Sequence, residues 1–129
     1  MLAPYLVAGV IGVMLFFSVA VAPTIFTVLP QEWASAYVRK FFPKYYAVLG
    51  ACCLIAALLS ADPALRWMSG VTAVLFALSL WVLTPAINAA SDRRQKRRFG
   101  LLHGASVAIN LLQLVLLVYA LWVLPPLLH

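Results

Sequence analysis

Four polar side chains recur within a strongly apolar stretch of this sequence. His103, Ser106, Asn110 and Gln113 are three, four and three residues apart, a spacing that predicts one face of an α-helix. A polar group in hydrocarbon costs several kcal/mol unless it is paired, so we expect this face to point into a helix bundle. Such a face is typical either of hydrogen bonds that hold helices together or of a path for a ligand, a proton or a metal.

His103 supports three hypotheses. The imidazole can form a structural hydrogen bond to a carbonyl of a neighbouring helix or to Asn88. It can instead contact a substrate or carry a proton, because histidine titrates near neutral pH. As a third hypothesis it can ligate haem or a metal ion inside the bundle. The other histidine, His129, is expected on the opposite side of the membrane, which disfavours haem held by two histidines.

The adjacent cysteines Cys52 and Cys53 are the other candidate metal ligands, since soft metals prefer thiolates. Consecutive residues of a helix point about 100° apart, so both thiols cannot face one partner equally. A free cysteine is also an ordinary small buried hydrophobe. The pair is therefore either a soft-metal site, alone or with His103, or inert packing.

The three carboxylates, Glu32, Asp62 and Asp92, all lie outside the apolar stretches. This placement excludes paired-carboxylate catalysis and carboxylate proton relays within the membrane. The sequence also lacks a phosphate-binding glycine loop, a dinucleotide fingerprint and a Ser-His-Asp set. We expect no catalytic residues of these kinds, and the chain is more typical of a non-enzyme.

The elements that must position these residues are long and apolar. The chain is 66% hydrophobic and 9% charged, and the segments 1–31, 45–61, 67–91 and 99–129 contain no Asp, Glu, Lys or Arg. About 20 apolar residues at about 1.5 Å each cross the hydrocarbon core of a bilayer. The second stretch is short, but Phe41, Phe42 and a snorkelling Lys44 extend it. The sequence predicts an all-α, four-helix transmembrane bundle, a single integral membrane domain over 1–129, with helices at about 4–29, 43–61, 65–90 and 99–124.

Between the first two helices, aromatic and charged residues alternate at three-to-four spacing from Gln31 to Lys44. This pattern predicts a short amphipathic helix lying in the membrane interface.

Eight of the nine basic residues fall in two of the three connections, which sets the expected topology. By the positive-inside rule these connections are cytoplasmic, and both termini are non-cytoplasmic. We expect no nucleic-acid partner, because the charge flanks membrane segments. One basic cluster is expected to meet anionic lipid head groups; its members are Arg93, Arg94, Lys96, Arg97 and Arg98.

In this topology, polar and helix-breaking residues of all four helices reach the inner leaflet together. We therefore expect a ligand site there, beneath the basic residues. Its candidate residues are His103, Ser106, Asn110, Asn88, Thr84 and Tyr45.

Several segments resemble one family of four-span membrane proteins, the transmembrane-protein-205-like family, also called domain of unknown function 4149. The similar segments are Phe17–Phe26, Phe41–Tyr46, Leu83–Ala90 and Phe99–Ser106 followed by Asn110. The resemblance implies the four-span fold and topology and, because Phe17–Phe26 is similar to bacterial members, a bacterial inner membrane. It implies no activity, and the long charged insertion that the vertebrate member carries between helices three and four is missing here.

Three functions follow from the residues. The chain is a binding or transport protein for a small or amphipathic ligand at the inner-leaflet site, a haem- or metal-binding membrane protein, or a structural or assembly factor. Glycine and alanine faces on the first two helices also favour a homo-oligomer.

Overall fold

The computed structural model describes residues 2–124, and this stretch of the chain is helical apart from short connections, with no β-strand. Its elements are α1 (Leu2–Phe16), a π-helical turn (Phe17–Val21), α2 (Ala22–Val28), α3 (Gln31–Leu59), α4 (Pro63–Leu78), a second π-helical turn (Ser79–Leu83), α5 (Thr84–Asp92) and α6 (Lys96–Trp122).

These elements form four helices that are long and apolar enough to cross a membrane. We call them spans 1 to 4, and they cover Leu2–Val28, Gln31–Leu59, Pro63–Asp92 and Lys96–Trp122. At about 1.5 Å per residue each exceeds the roughly 30 Å of hydrocarbon, so the ends of the spans reach the head groups. The predicted all-α bundle of four transmembrane helices is confirmed for the described residues.

The connection between spans 2 and 3 shows how local chemistry ends one helix and begins the next. Asp62 caps α4, because its carboxylate accepts the Leu65 amide at 3.0 Å, and Pro63 fills the first helical position. The Arg66 guanidinium donates to the Ser60 carbonyl at 2.9 Å. These contacts hold spans 2 and 3 together at their connection.

The expected interfacial segment is helical, but it is not a separate helix. It forms the beginning of α3, which continues through Pro43 to Leu59. Proline removes only one backbone donor, and the break that the sequence suggested does not occur. Aromatic residues on both sides of Pro43, Phe41 and Tyr45, pack against the same ring of Phe17, which fixes the direction of the helix across the proline.

The spans pack in chain order around one core, and span 4 returns to span 1. The approach of spans 2 and 3 is close at Gly50, where an added Cβ would lie 3.2 Å from the Cβ of Phe76. All four spans contribute buried side chains; among these are Val7, Val10, Met14, Leu49, Cys53, Ala56, Leu65, Phe76, Leu117 and Ala120.

Spans 1 and 3 share a local irregularity. Each contains a five-residue π-helical turn followed by a short α-segment whose second residue is proline, Pro23 or Pro85. Threonine hydroxyls bond to carbonyls at these turns: Thr24 to Ala20 at 2.6 Å, and Thr84 to Ser79 at 2.8 Å. The Ser79 carbonyl also accepts the Thr84 backbone amide, so these hydroxyls add hydrogen bonds within the helix next to each proline.

Candidate functional site

The largest concentration of aromatic side chains lies where spans 1, 2 and 3 meet. We call it the aromatic cluster, and it comprises Phe17, Phe41, Phe42, Tyr45 and Tyr46. Phe17, at the start of the first π-helical turn, stacks on Phe41 with ring centroids 5.0 Å apart and lies 4.9 Å from Tyr45. Tyr46 links the cluster to span 3, with its centroid 6.2 Å from that of Phe76.

Tyr45 is the unusual member of this cluster. Its side chain is 5% exposed, and its hydroxyl has no hydrogen-bond partner among residues 2–124. A buried polar group left without a partner costs about 1–3 kcal/mol. The Tyr45 hydroxyl, which can both donate and accept, therefore lies in an apolar setting without a hydrogen bond from the described residues.

The neighbouring Tyr46 differs in that its hydroxyl lies 3.3 Å from the Ser106 hydroxyl on span 4. Farther along span 4, the buried Gln113 amide donates to the Thr72 carbonyl at 3.3 Å. Both contacts join span 4 to its neighbours, as expected of polar residues that hold transmembrane helices together.

The expectation that the whole polar face of span 4 points into the bundle is wrong at His103. At about 100° per residue, Ser106, Asn110 and His103 lie about 20°, 60° and 80° around the helix from Gln113. Exposure follows this rotation: Gln113 is buried, Ser106 and Asn110 are half-buried, and His103 is exposed. The spacing of three, four and three drifts around the helix, so only its last member reaches the core.

His103 stacks in parallel on Phe99, with ring centroids 5.9 Å apart. Within the described residues its imidazole makes no hydrogen bond, to Asn88 or elsewhere. Its roles in contacting a ligand, a proton or a metal remain predictions.

Thr84 and Asn88 lie nearer the end of the bundle that carries most of the basic residues, here called the basic end. Thr84 uses its hydroxyl on the Ser79 carbonyl, so that group is already engaged. The Asn88 carbonyl accepts a hydrogen bond from Arg39 at 3.3 Å, and the same guanidinium pairs with the Asp92 carboxylate. Span 2 is thereby tied to the last turns of span 3.

The two cysteines are free thiols, with Cys53 fully buried and Cys52 half-buried. Among residues 2–124, no group of three or more His, Cys, Asp or Glu side chains is placed to hold a metal ion. The hypothesis of a soft metal at the cysteine pair gains no further ligand from the fold.

The sequence interpretation missed a polar line inside span 3. Ser69, Thr72 and Ser79 are each at most 2% exposed, and the Ser69 hydroxyl, like that of Tyr45, has no partner among the described residues. Their spacing of three and seven residues is the helical signal that could have revealed them.

The five basic residues predicted to meet lipid are all exposed at the turn between spans 3 and 4, where Arg94 adopts a left-handed backbone conformation with φ of 55°. Together with Lys40 and Lys44 of span 2, they form a basic rim around one end of the bundle.

The family model described as "Domain of unknown function (DUF4149)" matches residues 5–96. A protein of Aquifex aeolicus (strain VF5), named "Uncharacterized protein", is 32% identical over 117 residues, which cover 89% of this chain and 88% of that protein. No solved structure matches.

Proposed function

This chain belongs to the family described as a domain of unknown function (DUF4149), and we propose that it binds a membrane amphiphile with an anionic head group at the basic end of its bundle. In this proposal the aromatic cluster receives the apolar portion of the ligand and the basic rim receives its charge. The ligand would come from the inner leaflet, and the proposed function is its binding or the transfer of the bound molecule.

The observation that carries this proposal is the unpartnered hydroxyl of Tyr45. Buried polar groups in folded proteins are hydrogen-bonded, so an orphan one calls for an explanation. The Tyr45 ring contacts those of Phe17, Phe41 and Phe42, which offer apolar and π-face contacts for an acyl chain or ring system. A polar atom of a ligand would give the Tyr45 hydroxyl the hydrogen bond that the protein does not.

The charge of the site favours an anionic head group. The basic rim contains seven exposed lysines and arginines, whereas the acidic residues at that end are Glu32 and Asp92, and Asp92 is already paired with Arg39. Arginine and lysine near a membrane surface attract anionic lipids by about 1 kcal/mol each. His103 and Asn110, on the flank of span 4, are placed to contact the ligand from the lipid side.

Tyr45→Phe tests the proposal, because it removes only the orphan hydroxyl. We expect the affinity for a short-chain phosphatidylglycerol to fall by about tenfold, which corresponds to about 1.4 kcal/mol for one lost hydrogen bond. The same variant should be equally or more stable without ligand, since a buried unpaired group is gone. Binding is measured by titration of the purified chain in nanodiscs of zwitterionic lipid, and stability by thermal unfolding.

Tyr5→Phe is the matched control, because Tyr5 is 69% exposed on span 1. It should leave both binding and stability unchanged. Equal affinities of the wild type and Tyr45→Phe would contradict the proposed site. A loss of stability with Tyr45→Phe would instead indicate that the hydroxyl serves packing, as the structural or assembly hypothesis requires.

The proposal also places the chain in a bacterial inner membrane, as one integral domain over 1–129 with both termini outside the cytoplasm. The bacterial relative and the concentration of basic residues at one end support this orientation. On the same basis we propose kinship with the transmembrane-protein-205-like proteins, since the segments Phe41–Tyr46 and Phe99–Ser106 resemble theirs.

Fusion reporters test this orientation. Alkaline phosphatase joined after residue 129 should be active, because this enzyme folds only outside the cytoplasm. Green fluorescent protein at the same position should be dark. Fusions after Arg94 should give the opposite pattern. Fluorescence from the fusion after residue 129 would contradict the proposed topology.

A further inference from the structure

The two π-helical turns stand at equivalent places in the two hairpins formed by spans 1–2 and spans 3–4. The first turn begins at Phe17 and the second at Ser79, and in each span a proline lies six residues after that start. Neighbouring spans alternate in direction, so spans 1 and 3 both run toward the basic end. Sharp helix bends occur at prolines and at π-turns. Each hairpin therefore has a bending point on the way to the basic end.

The segments beyond these turns are held by few buried side chains. Of the seven residues of α2 only Ile25 is buried, and of the nine residues of α5 only Ala90 is. The other half of the bundle contains the fully buried Met14, Leu65 and Leu117. Segments with few buried apolar contacts open at low free-energy cost, so the basic end is the less stable half.

A polar connection joins the two hairpins across this less stable half. The Arg39 guanidinium donates from both terminal nitrogens to the Asp92 carboxylate, and from one of them to the Asn88 carbonyl. The Arg39 and Asp92 side chains are 37% and 63% exposed. An exposed ion pair shifts a two-state equilibrium by only about twofold to fivefold, so it can break reversibly.

We propose that the basic end is a gate, in which the Arg39–Asp92 pair is the latch and the two π-helical turns are the hinges. When the gate opens, Arg39 exchanges the Asp92 carboxylate for the anionic head group of the ligand, and the ends of the hairpins separate. The exchange rests on the proposed function, whereas the latch itself rests only on the contacts of Arg39. Opening exposes the aromatic cluster and Tyr45 to the inner leaflet.

The size of the motion follows from the geometry of the helix. Asp92 lies nine positions after Leu83, so the helical segment beyond the turn is about 14 Å long. A bend of about 20° at the π-turn, the threshold of a sharp kink, moves the end of α5 by about 5 Å. This displacement is large enough to measure between two spin labels.

The experiment places spin labels at the exposed positions Ala36→Cys and Gln95→Cys, one on each hairpin, after Cys52 and Cys53 are changed to alanine. Distances are measured by double electron–electron resonance in nanodiscs of phosphatidylcholine. We expect one main distance for the wild-type latch, whereas in Arg39→Gln or Asp92→Asn the population at a distance about 5 Å longer should rise by about twofold to fivefold. The charge swap Arg39→Asp with Asp92→Arg should restore the shorter distance.

Labels at Leu2→Cys and Trp122→Cys, also exposed, monitor the opposite end, where the distance should stay constant in every variant. Unchanged Ala36–Gln95 distances in both single variants would overturn the latch. Adding phosphatidylglycerol to the wild-type latch should populate the longer distance. If phosphatidylglycerol binds in a Tyr45-dependent way but the Ala36–Gln95 distance does not change, the exchange at Arg39 is wrong. If this lipid does not bind at all, the proposed function fails, and the distances in the Arg39 and Asp92 variants still test the latch.

Discussion

Replacing Phe76 with alanine is expected to destabilise the bundle by about 3 kcal/mol. Phe76 is fully buried, and its ring contacts Tyr46 while its Cβ faces Gly50. Phenylalanine-to-alanine changes in cores cost about 3–5 kcal/mol, some of it for the cavity that remains. We expect the lower end of this range, because lipid tails are as apolar as the core and reduce the transfer contribution.

The free energy of unfolding is measured by titration with sodium dodecyl sulfate in lipid–detergent bicelles. Trp81→Ala is the matched control, since Trp81 is a large aromatic residue of the same span that is 73% exposed. It should change the free energy by less than about 0.5 kcal/mol. Similar losses for both variants would contradict the packing of spans 2 and 3 around Phe76.

Gly50→Leu should cost about as much, for the opposite reason. A Cβ at this position would approach the Cβ of Phe76 to 3.2 Å and its Cγ to 4.0 Å, so a leucine side chain would begin against the base of the Phe76 ring. Added methylene groups in a well-packed core cost about 1–3 kcal/mol, and we expect the upper end, because the obstacle lies next to the backbone of the neighbouring span.

Gly12→Leu provides the comparison, because an added Cβ at Gly12 meets no atom within 4 Å. It should leave the free energy of unfolding nearly unchanged in the same bicelle titration. If Gly50→Leu were tolerated as well as Gly12→Leu, spans 2 and 3 would not approach each other as closely as the structure places them.

Together these variants address the stable half of the bundle, and the Tyr45 and Arg39 variants address the basic end. The contrast fits the proposed function, because a binding site that opens would need a rigid region to return to. The tight packing of Phe76 against Gly50 supplies this rigid region. Tyr46 joins it to the aromatic cluster, since its ring contacts that of Phe76.

Much of the architecture could be predicted from the sequence, because whether a segment forms a spanning helix depends mainly on the composition of that segment. A run of about 20 apolar residues has few alternatives to a spanning helix, since its backbone groups must bond within the segment. The cap at Asp62 and the start at Pro63 likewise depend only on neighbouring residues. Pro43 shows the limit of such rules: the sequence indicated a helix boundary, but packing of Phe41 and Tyr45 on Phe17 carries the helix through it.

The candidate site was only partly predictable. Tyr45 and Ser106 were expected near the basic end, yet the orphan state of the Tyr45 hydroxyl and the Tyr46–Ser106 contact depend on where other spans lie. The polar face of span 4 was identified, but its rotation was not, and His103 consequently lies outside the core.

The sequence by itself determined that four helices are long and apolar enough to span a membrane and that basic charge is concentrated between them, since these properties depend on composition over one segment at a time. Only the tertiary structure decided which face of each helix is buried, where spans 1 and 3 contain π-helical turns, and that Arg39 pairs with Asp92. The physical reason is that a helix rotates about 100° per residue. Polar residues three or four apart share a face only approximately, and packing against neighbouring helices selects which of them reaches the core.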